Sequence, residues 1–412
     1  MNPSYQHDVV AQSVIAELKK LLKEKDYSLL TRLLLDFLTE GEYSPQVLSK
    51  AMELRRKYNL GLDSDQLLKL HEELNLLLEA LTISTLNLPQ VQPEKLYEQA
   101  LDSLQVSKGQ AQGILICHCE QLVKQYNKSG FKFGPIDLRL VSGQLTGVVG
   151  ENGNGKTTLL RLIAGDIALS SGSISFPALQ GKTWYDFKNQ IAYIPQQSER
   201  WYGLLKNNLH FSAANHGILG SQNLQQVNYI IHRLGLSRYE NATWSQISTG
   251  FRLRFELAKA LVWKPKLLIL DEPLANLDVN TKLLVLQDLK MLSQSKKYPL
   301  SIILSSQQLH EIEKIVDNLI FIKNGQVIFN DKVAQLGSQR QSNTIELSGS
   351  FNREQLYEYL EGIQILSLSD SGNSFIVNLP IEVKPSEVLQ KILLHSEVDY
   401  FRDISKSSRK FF

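Results

Sequence analysis

The chain has 412 residues, with 44 Lys and Arg against 42 Asp and Glu and a hydrophobic share of 43%. That length exceeds one ordinary core and predicts two or three domains. A formal net charge of +2 gives no argument for nucleic acid or an anionic membrane surface as a partner, so no direct nucleic-acid contact is expected.

The two cysteines, Cys117 and Cys119, flank His118 and cannot build a disulfide framework, which predicts an intracellular protein. As a metal site they would offer three crowded ligands without a second cluster, so residues 114–119 read as a short apolar strand. The first residues lack the apolar core of a signal peptide. No run of about 18 apolar residues occurs, so any membrane pathway is expected to be another chain.

Three blocks follow in chain order. Residues 1–112 are expected to be a helical domain and linker. Leu, Ile and Val recur at helical spacing in Val14–Leu22, Leu29–Leu38, Val47–Leu60 and Leu67–Leu81, with Asp63 or Ser64 as cap of the last. The charges between the leucines read as solvated helix faces. Residues Asn87–Pro93 read as the end of the bundle. From Ala111 short β-branched runs alternate with helical segments: Ile114–Ile116, Leu145–Val149, Ile174–Phe176, Ile191–Ile194, Leu267–Leu270 and Ser301–Leu304. This pattern predicts an α/β domain over residues 113–340. Residues 341–412 read β-α-β-β-α-β, with strands at Thr344–Leu347, Gln364–Ser369, Ser374–Asn378 and Asp399–Arg402 and helices at Asn352–Glu361 and Pro385–His395. That order predicts a small ferredoxin-like α+β domain.

Two motifs carry chemistry. Gly150, Glu151, Asn152, Gly153, Asn154, Gly155, Lys156 and Thr157 satisfy G-x-x-x-x-G-K-[ST], between a strand and a helix that continues from Thr158. The glycines let backbone N–H groups close around phosphate oxygens, and the helix N-terminus adds a favourable dipole. Lys156 supplies a point charge for outer phosphates, and Thr157 offers a hydroxyl to Mg²⁺. In Lys266–Glu272 an apolar strand ends in two acids, where ligands of parallel sheets bind. Asp271 is placed to reach Mg²⁺ and Glu272 to polarise an attacking water.

With these motifs the sequence resembles the ABC ATPase family over roughly residues 113–340, which implies a P-loop NTPase fold of ABC type, a mixed sheet with a helical subdomain. The resemblance implies ATP and Mg²⁺ as cofactors. It assigns Gln196, in Ile191-Ala-Tyr-Ile-Pro-Gln, to the glutamine loop that contacts Mg²⁺ and water. Ile247-Ser-Thr-Gly-Phe-Arg-Leu-Arg254 falls where the family carries LSGGQ and keeps Ser248 and Gly250, which the resemblance places on the ATP of an opposite subunit. Asp278 matches the acid of the D-loop, and Tyr126, with Phe131 or Phe133 as alternatives, matches the aromatic that stacks on adenine.

Three departures stand out: Thr249 for the signature's first glycine, Phe251 for its glutamine, and Gln307 where the family usually has histidine. A neutral glutamine can still hydrogen-bond a γ-phosphate oxygen, so ATP binding is expected intact and hydrolysis slower. His310 is expected on the following helix, at the surface.

The resemblance implies a subunit of an export-type ABC transporter, peripheral to the cytoplasmic face of a membrane. Its partners would be a second ATP-binding subunit, identical or not, and a separate integral membrane chain. The C-terminal block resembles the tail domain of some export-type ABC ATPases, including the ending Arg409-Lys-Phe-Phe412. The N-terminal block resembles small helical adaptor modules of bacterial signalling and defence proteins, and is expected to dock a partner. The alternatives are a soluble ATPase switch whose helical block recruits a protein or ribonucleoprotein, and a structural partner in a heterodimer.

Overall fold

The computed structural model describes residues 3–403, apart from residues 41–42, 87–112, 128–129, 182, 296–297, 337–341 and 373. The expected linker at Asn87–Pro93 and the ending Arg409–Phe412 lie outside the described residues, as do residues 112, 340 and 341 at the expected domain boundaries.

The leucine spacing of the first block produces four helices: α1 (Pro3–Lys23), α2 (Tyr27–Glu40), α3 (Pro45–Asn59) and α4 (Ser64–Leu86). Their apolar stripes meet in one core in which Leu18, Leu30, Leu34, Leu35, Leu54, Leu70, Leu74 and Leu78 are fully buried. Each such side chain contributes about 2 kcal/mol on burial. Asp63 caps α4 by accepting from the Gln66 N–H at 2.8 Å, while the Gln66 side chain accepts from the Asp63 N–H at 3.2 Å.

One expectation here is corrected. Arg32 and Arg55, on positions read as solvated faces, are buried against the next block. Arg32 reaches Asp288 at 2.7 Å, and Asp36 reaches Arg233 at 2.6 Å. A solvated face was the wrong reading because the bundle has a neighbour that supplies opposite charges.

The middle block builds two sheets. Strands β1 (Leu115–Gln125), β2 (Lys132–Val141) and β4 (Ser171–Ser175) form an antiparallel sheet in the order β2-β1-β4. β1 runs past the expected residue 119 because Leu122 and Val123 still find partners, in Ile136 and Ser171. Cys117 and Cys119 lie buried on β1, their sulfurs 3.9 Å apart.

The second sheet has six strands in the order β5-β6-β7-β3-β8-β9: β3 (Leu145–Val149), β5 (Ile191–Ile194), β6 (Leu267–Leu270), β7 (Ser301–Ser306), β8 (Asn318–Lys323) and β9 (Gln326–Lys332). All its pairings are parallel except β8 with β9. Strands β3, β6 and β7 are buried throughout, as continuous apolar runs require. Helix α5 (Lys156–Ala164) follows β3, and α10 (Val279–Ser293) and α11 (Leu309–Ile312) follow β6 and β7. Between β5 and β6 stands a helical lobe of α7 (Leu205–Asn215), α8 (Gly220–Arg233) and α9 (Thr249–Leu261), preceded by the short α6 (Trp184–Lys188) ahead of β5. Its buried Trp201, Leu209, Ile231 and Phe255 share one core with Leu268 and Leu304 of the sheet.

The last block runs β10 (Ser342–Gly349), α12 (Arg353–Tyr359), β11 (Ser367–Ser371), β12 (Ser374–Pro380), α13 (Pro385–Leu393) and β13 (Val398–Asp403). Its antiparallel sheet has the order β11-β12-β10-β13. β11 starts at residue 367 rather than 364. The hairpin at Gly372 pairs Ser371 with Ser374 and fixes the register, while Ile363 and Ile365 pack on the core from the preceding loop.

Candidate nucleotide site

Four adjacent parallel strands deliver the site. At the C-terminal ends of β3, β5, β6 and β7 lie, in turn, the phosphate loop, Gln196, Asp271 with Glu272, and Gln307. Ligands of open parallel sheets bind at such ends.

The phosphate loop is held by positions that only glycine fits. Gly155 has φ +105°, and a Cβ there would sit 2.7 Å from the Phe133 ring; a Cβ on Gly150 would sit 2.4 Å from the Ile322 carbonyl oxygen. The side chain of Asn154 turns inward and accepts from the Asn324 N–H at 2.9 Å, tying the loop to the β8–β9 turn. Lys156, 4% exposed, donates to the carbonyls of Gly150 (2.7 Å) and Glu151 (3.1 Å) and pairs with Glu272 at 3.2 Å. All three ammonium protons are therefore directed. Glu151, Asn152, Gly153 and Thr157 are exposed around it, and Thr158 is half-buried.

Glu272 is the hub. It is 9% exposed, with φ +45°, a left-handed conformation that costs a residue with a Cβ on the order of 1 kcal/mol or more. Its carboxylate accepts from Gln196 Nε2 at 3.0 Å and Gln307 Nε2 at 2.6 Å, besides Lys156. So Gln196, Glu272, Gln307 and Lys156, far apart in sequence, meet on two oxygens. Beside them Asp271, 2% exposed, accepts from the Ser305 hydroxyl at 2.8 Å, and Ser305 Oγ accepts the Glu272 N–H at 2.8 Å. Ser305 positions both acids and was missed from the sequence. Its only signal is a buried hydroxyl at the end of a strand, one of three serines there. Burial and then the charge of Asp271 push the Tyr193 phenol up to about 12.

The remaining assigned residues lie outside this hub. Ser248 is the N-cap of α9, and Thr249 and Gly250 begin that helix; a Cβ on Gly250 would come within 3.0 Å of Thr281. Phe251, where the family has glutamine, packs its ring 4.3 Å from that of Tyr239. Asp278 caps α10, accepting from the Thr281 N–H (2.9 Å) and hydroxyl (2.6 Å), and these bonds, the hydroxyl's foremost, hold its carboxyl below the usual range. Tyr126 is half-buried at the end of β1, its ring 6.3 Å from that of Phe131. Phe133 is wholly buried against Gly155, so it is core and not a base-stacking surface. His310 is exposed on α11, as expected.

A protein-family model described as ABC transporter matches residues 133–275. Among curated relatives, the uncharacterized ABC transporter ATP-binding protein YxlF of Bacillus subtilis is 30% identical over 227 residues, 55% of this chain and 73% of that protein. The chain belongs to the ABC transporter ATP-binding family. Other members similar to it include the molybdenum import ATP-binding protein ModC of Saccharophagus degradans, 31% identical over 51% of this chain and 59% of that protein. The methionine import ATP-binding protein MetN 2 of Listeria monocytogenes is 32% identical over 51% of this chain and 64% of that protein. This chain thus spans less than two thirds of either import ATPase. A solved structure of cbiO1 from Clostridium perfringens, part of the ABC transporter complex cbiONQ, shares the ATPase fold at 24% identity and a TM-score of 0.50, over 55% of this chain and 92% of that one. ABC membership implies ATP hydrolysis and, typically, Mg²⁺. No helix among the described residues is long and apolar enough to cross a membrane.

The donors present fit Mg²⁺. Thr157, Asp271 and the Gln196 amide offer hard oxygens beside the phosphate loop. No group of three or more His, Cys, Asp or Glu able to hold a metal occurs among the described residues. One carboxylate with substrate phosphates completing the shell is the arrangement Mg²⁺ favours.

Proposed function

We propose that this chain is the ATP-hydrolysing subunit of an export-type ABC transporter, driving a separate membrane chain through ATP-dependent closure of a dimer. The observation that carries the reading is the convergence of Lys156, Gln196 and Gln307 on the Glu272 carboxylate at four adjacent strand ends.

ATP would lie with its phosphates on the backbone of residues 150–158, its adenine on Tyr126 and its outer phosphates drawing the Lys156 ammonium away from Glu272. Thr157, Asp271 and Gln196 would hold Mg²⁺, which neutralises phosphate charge when bound. Glu272, freed from Lys156, orients and deprotonates the attacking water, while the Gln307 amide donates to a γ-phosphate oxygen. Ser248 and Gly250, remote from this hub, would reach the nucleotide of a second subunit, and Asp278 would line the same seam. Without the positive charge of a histidine at 307, turnover is slow. The export assignment rests on the C-terminal block, whose β-α-β-β-α-β order and antiparallel sheet we read as a ferredoxin-like tail domain. The chain works at the cytoplasmic face of the membrane that holds its partner.

A second reading, a cytosolic switch, draws on the docking of the N-terminal bundle to the ATPase through Arg32, Asp36, Arg233 and Asp288. The deciding experiment is a pull-down of tagged Glu272→Gln protein, with ATP, from detergent-solubilised cells. That variant should keep ATP while stopping turnover, so it holds its partners longest. Recovery of a polytopic membrane protein in stoichiometric amount supports the transport reading. Recovery of only soluble proteins or RNA overturns it in favour of the switch.

A further inference from the structure

Between the N-terminal bundle and the ATPase lies a half-open cleft of about 390 Å³. Its walls carry four guanidiniums, Arg32 and Arg55 from the bundle and Arg238 and Arg254 from the helical lobe, against one carboxylate, Asp288. Asp288 is already engaged by Arg32 at 2.7 Å and by Arg233 at 2.9 Å. Arg55 is 4% exposed and makes no ion pair among the described residues. Its Nε donates to the His232 carbonyl (3.2 Å), and its Nη1 donates to the Ser28 carbonyl (3.1 Å) and the Thr31 hydroxyl (3.0 Å). Arg254 has one long contact, 3.5 Å to the Leu234 carbonyl. Buried charge is ordinarily paired, and a guanidinium buried without a counter-ion is costly.

Two aromatic rings complete the cleft. Tyr58 lies 5.8 Å from the Arg55 guanidinium and Phe251 lies 5.6 Å from that of Arg254. The surplus positive field is felt by neighbours. Burial and then Arg32 and Arg233 push Arg55 down to about 9, while burial and then Arg56, Lys206 and Arg55 push His232 down to about 4.

We propose that this cleft is a second ligand site, for a small phosphorylated molecule carrying a flat or apolar group, distinct from the phosphate loop. Arg238 and Arg254 fork onto phosphate oxygens, Arg32 and Arg55, already engaged, add positive charge behind them, and Tyr58 and Phe251 face the flat part. The volume suits a ligand of that size. Because Phe251 and Arg254 stand on α9, an occupant touches the helix that carries Ser248 and Gly250. The site is independent of whether the chain serves a transporter.

The test uses the full chain with Lys156→Ala, which silences the phosphate loop, titrated calorimetrically with phenyl phosphate and with inorganic phosphate. The expected result is one saturable site for phenyl phosphate, at least tenfold tighter than for inorganic phosphate. Arg238→Glu, at an exposed position, and Arg254→Gln should each weaken it tenfold or more in variants shown to be folded by their melting temperature. Absence of saturable binding, or equal affinity in both arginine variants and their parent, overturns the proposal. Equal affinity for the two probes overturns its aromatic half and leaves a bare anion site.

Discussion

At the scale of single residues, the Glu272 carboxylate decides most of the chemistry. Three donors already compete for it, and one of them, Gln307, is a substitution in the family's pattern. Its amide binds Glu272 at 2.6 Å without adding a charge. A histidine there could carry a proton toward the γ-phosphate and strengthen a hydrogen bond in the transition state by about 1–2 kcal/mol. Gln307→His should therefore raise steady-state ATP turnover about tenfold, measured as phosphate release, while nucleotide affinity stays within about threefold. An unchanged rate would remove the charge argument. The loop, Lys156, Asp271 and Glu272 were legible in the sequence because each lies in a contiguous motif whose local geometry follows from residue type. Ser305 was not, since a hydroxyl in a strand acquires meaning only when β6 and β7 pair and bring it between two acids.

At the scale of elements, Trp201 helps to tie the glutamine loop to α9. Trp201, just beyond Gln196, donates its indole N–H to Glu256 at 2.8 Å and stacks on Trp244 with centroids 5.1 Å apart. Burial, partly offset by Lys259 and the indole bond, raises the Glu256 carboxyl above its usual range. Trp201→Phe keeps most of the packing but leaves that carboxyl without its indole donor, which costs about 1–3 kcal/mol. A drop of several degrees in melting temperature is expected, with ATP affinity unaltered because no residue around Lys156 is touched. Equal melting temperatures would show that the bond is idle. The helices and buried parallel strands were readable because their periodicity is strong and local. β2 and β9 were not marked, because antiparallel strands with one wet face, such as β9 with its alternating exposure, blend into loop-like composition, whereas β8 carries a buried apolar run at residues 319–322 that was legible and passed over. The signature departure at Phe251 also becomes intelligible only as packing on Tyr239, a residue from another segment.

At the scale of the whole molecule, one guanidinium holds three bodies together. Arg233, on α8 and 0% exposed, bonds Asp36 of the bundle and Asp288 of α10, and Asp288 also receives Arg32. Burial works against these charges, yet the opposite charges win: Arg233 is raised and Asp288 lowered. Removing the central member with Arg233→Met leaves two acids facing one remaining arginine and costs about 3–5 kcal/mol. Amide hydrogen exchange over residues 27–59 should rise by one to two orders of magnitude while exchange in β3 and β6 stays slow. Protection lost equally everywhere would mean that the bundle and the ATPase unfold as one unit. The sequence could not show this network, since its bonded members lie 55, 197 and 256 positions apart and each alone resembles an ordinary surface charge.

That shared guanidinium has a thermodynamic corollary. Asp36, Arg233 and Asp288 sit on three different bodies, so any change in the angle between the helical lobe and the sheet stretches or relieves the same bonds that seat the bundle. Where ATP favours one arrangement, whatever binds the bundle more tightly in that arrangement alters nucleotide affinity by some factor, and ATP alters the affinity of that binder by the same factor. The N-terminal helices are thus a port through which information can run in either direction.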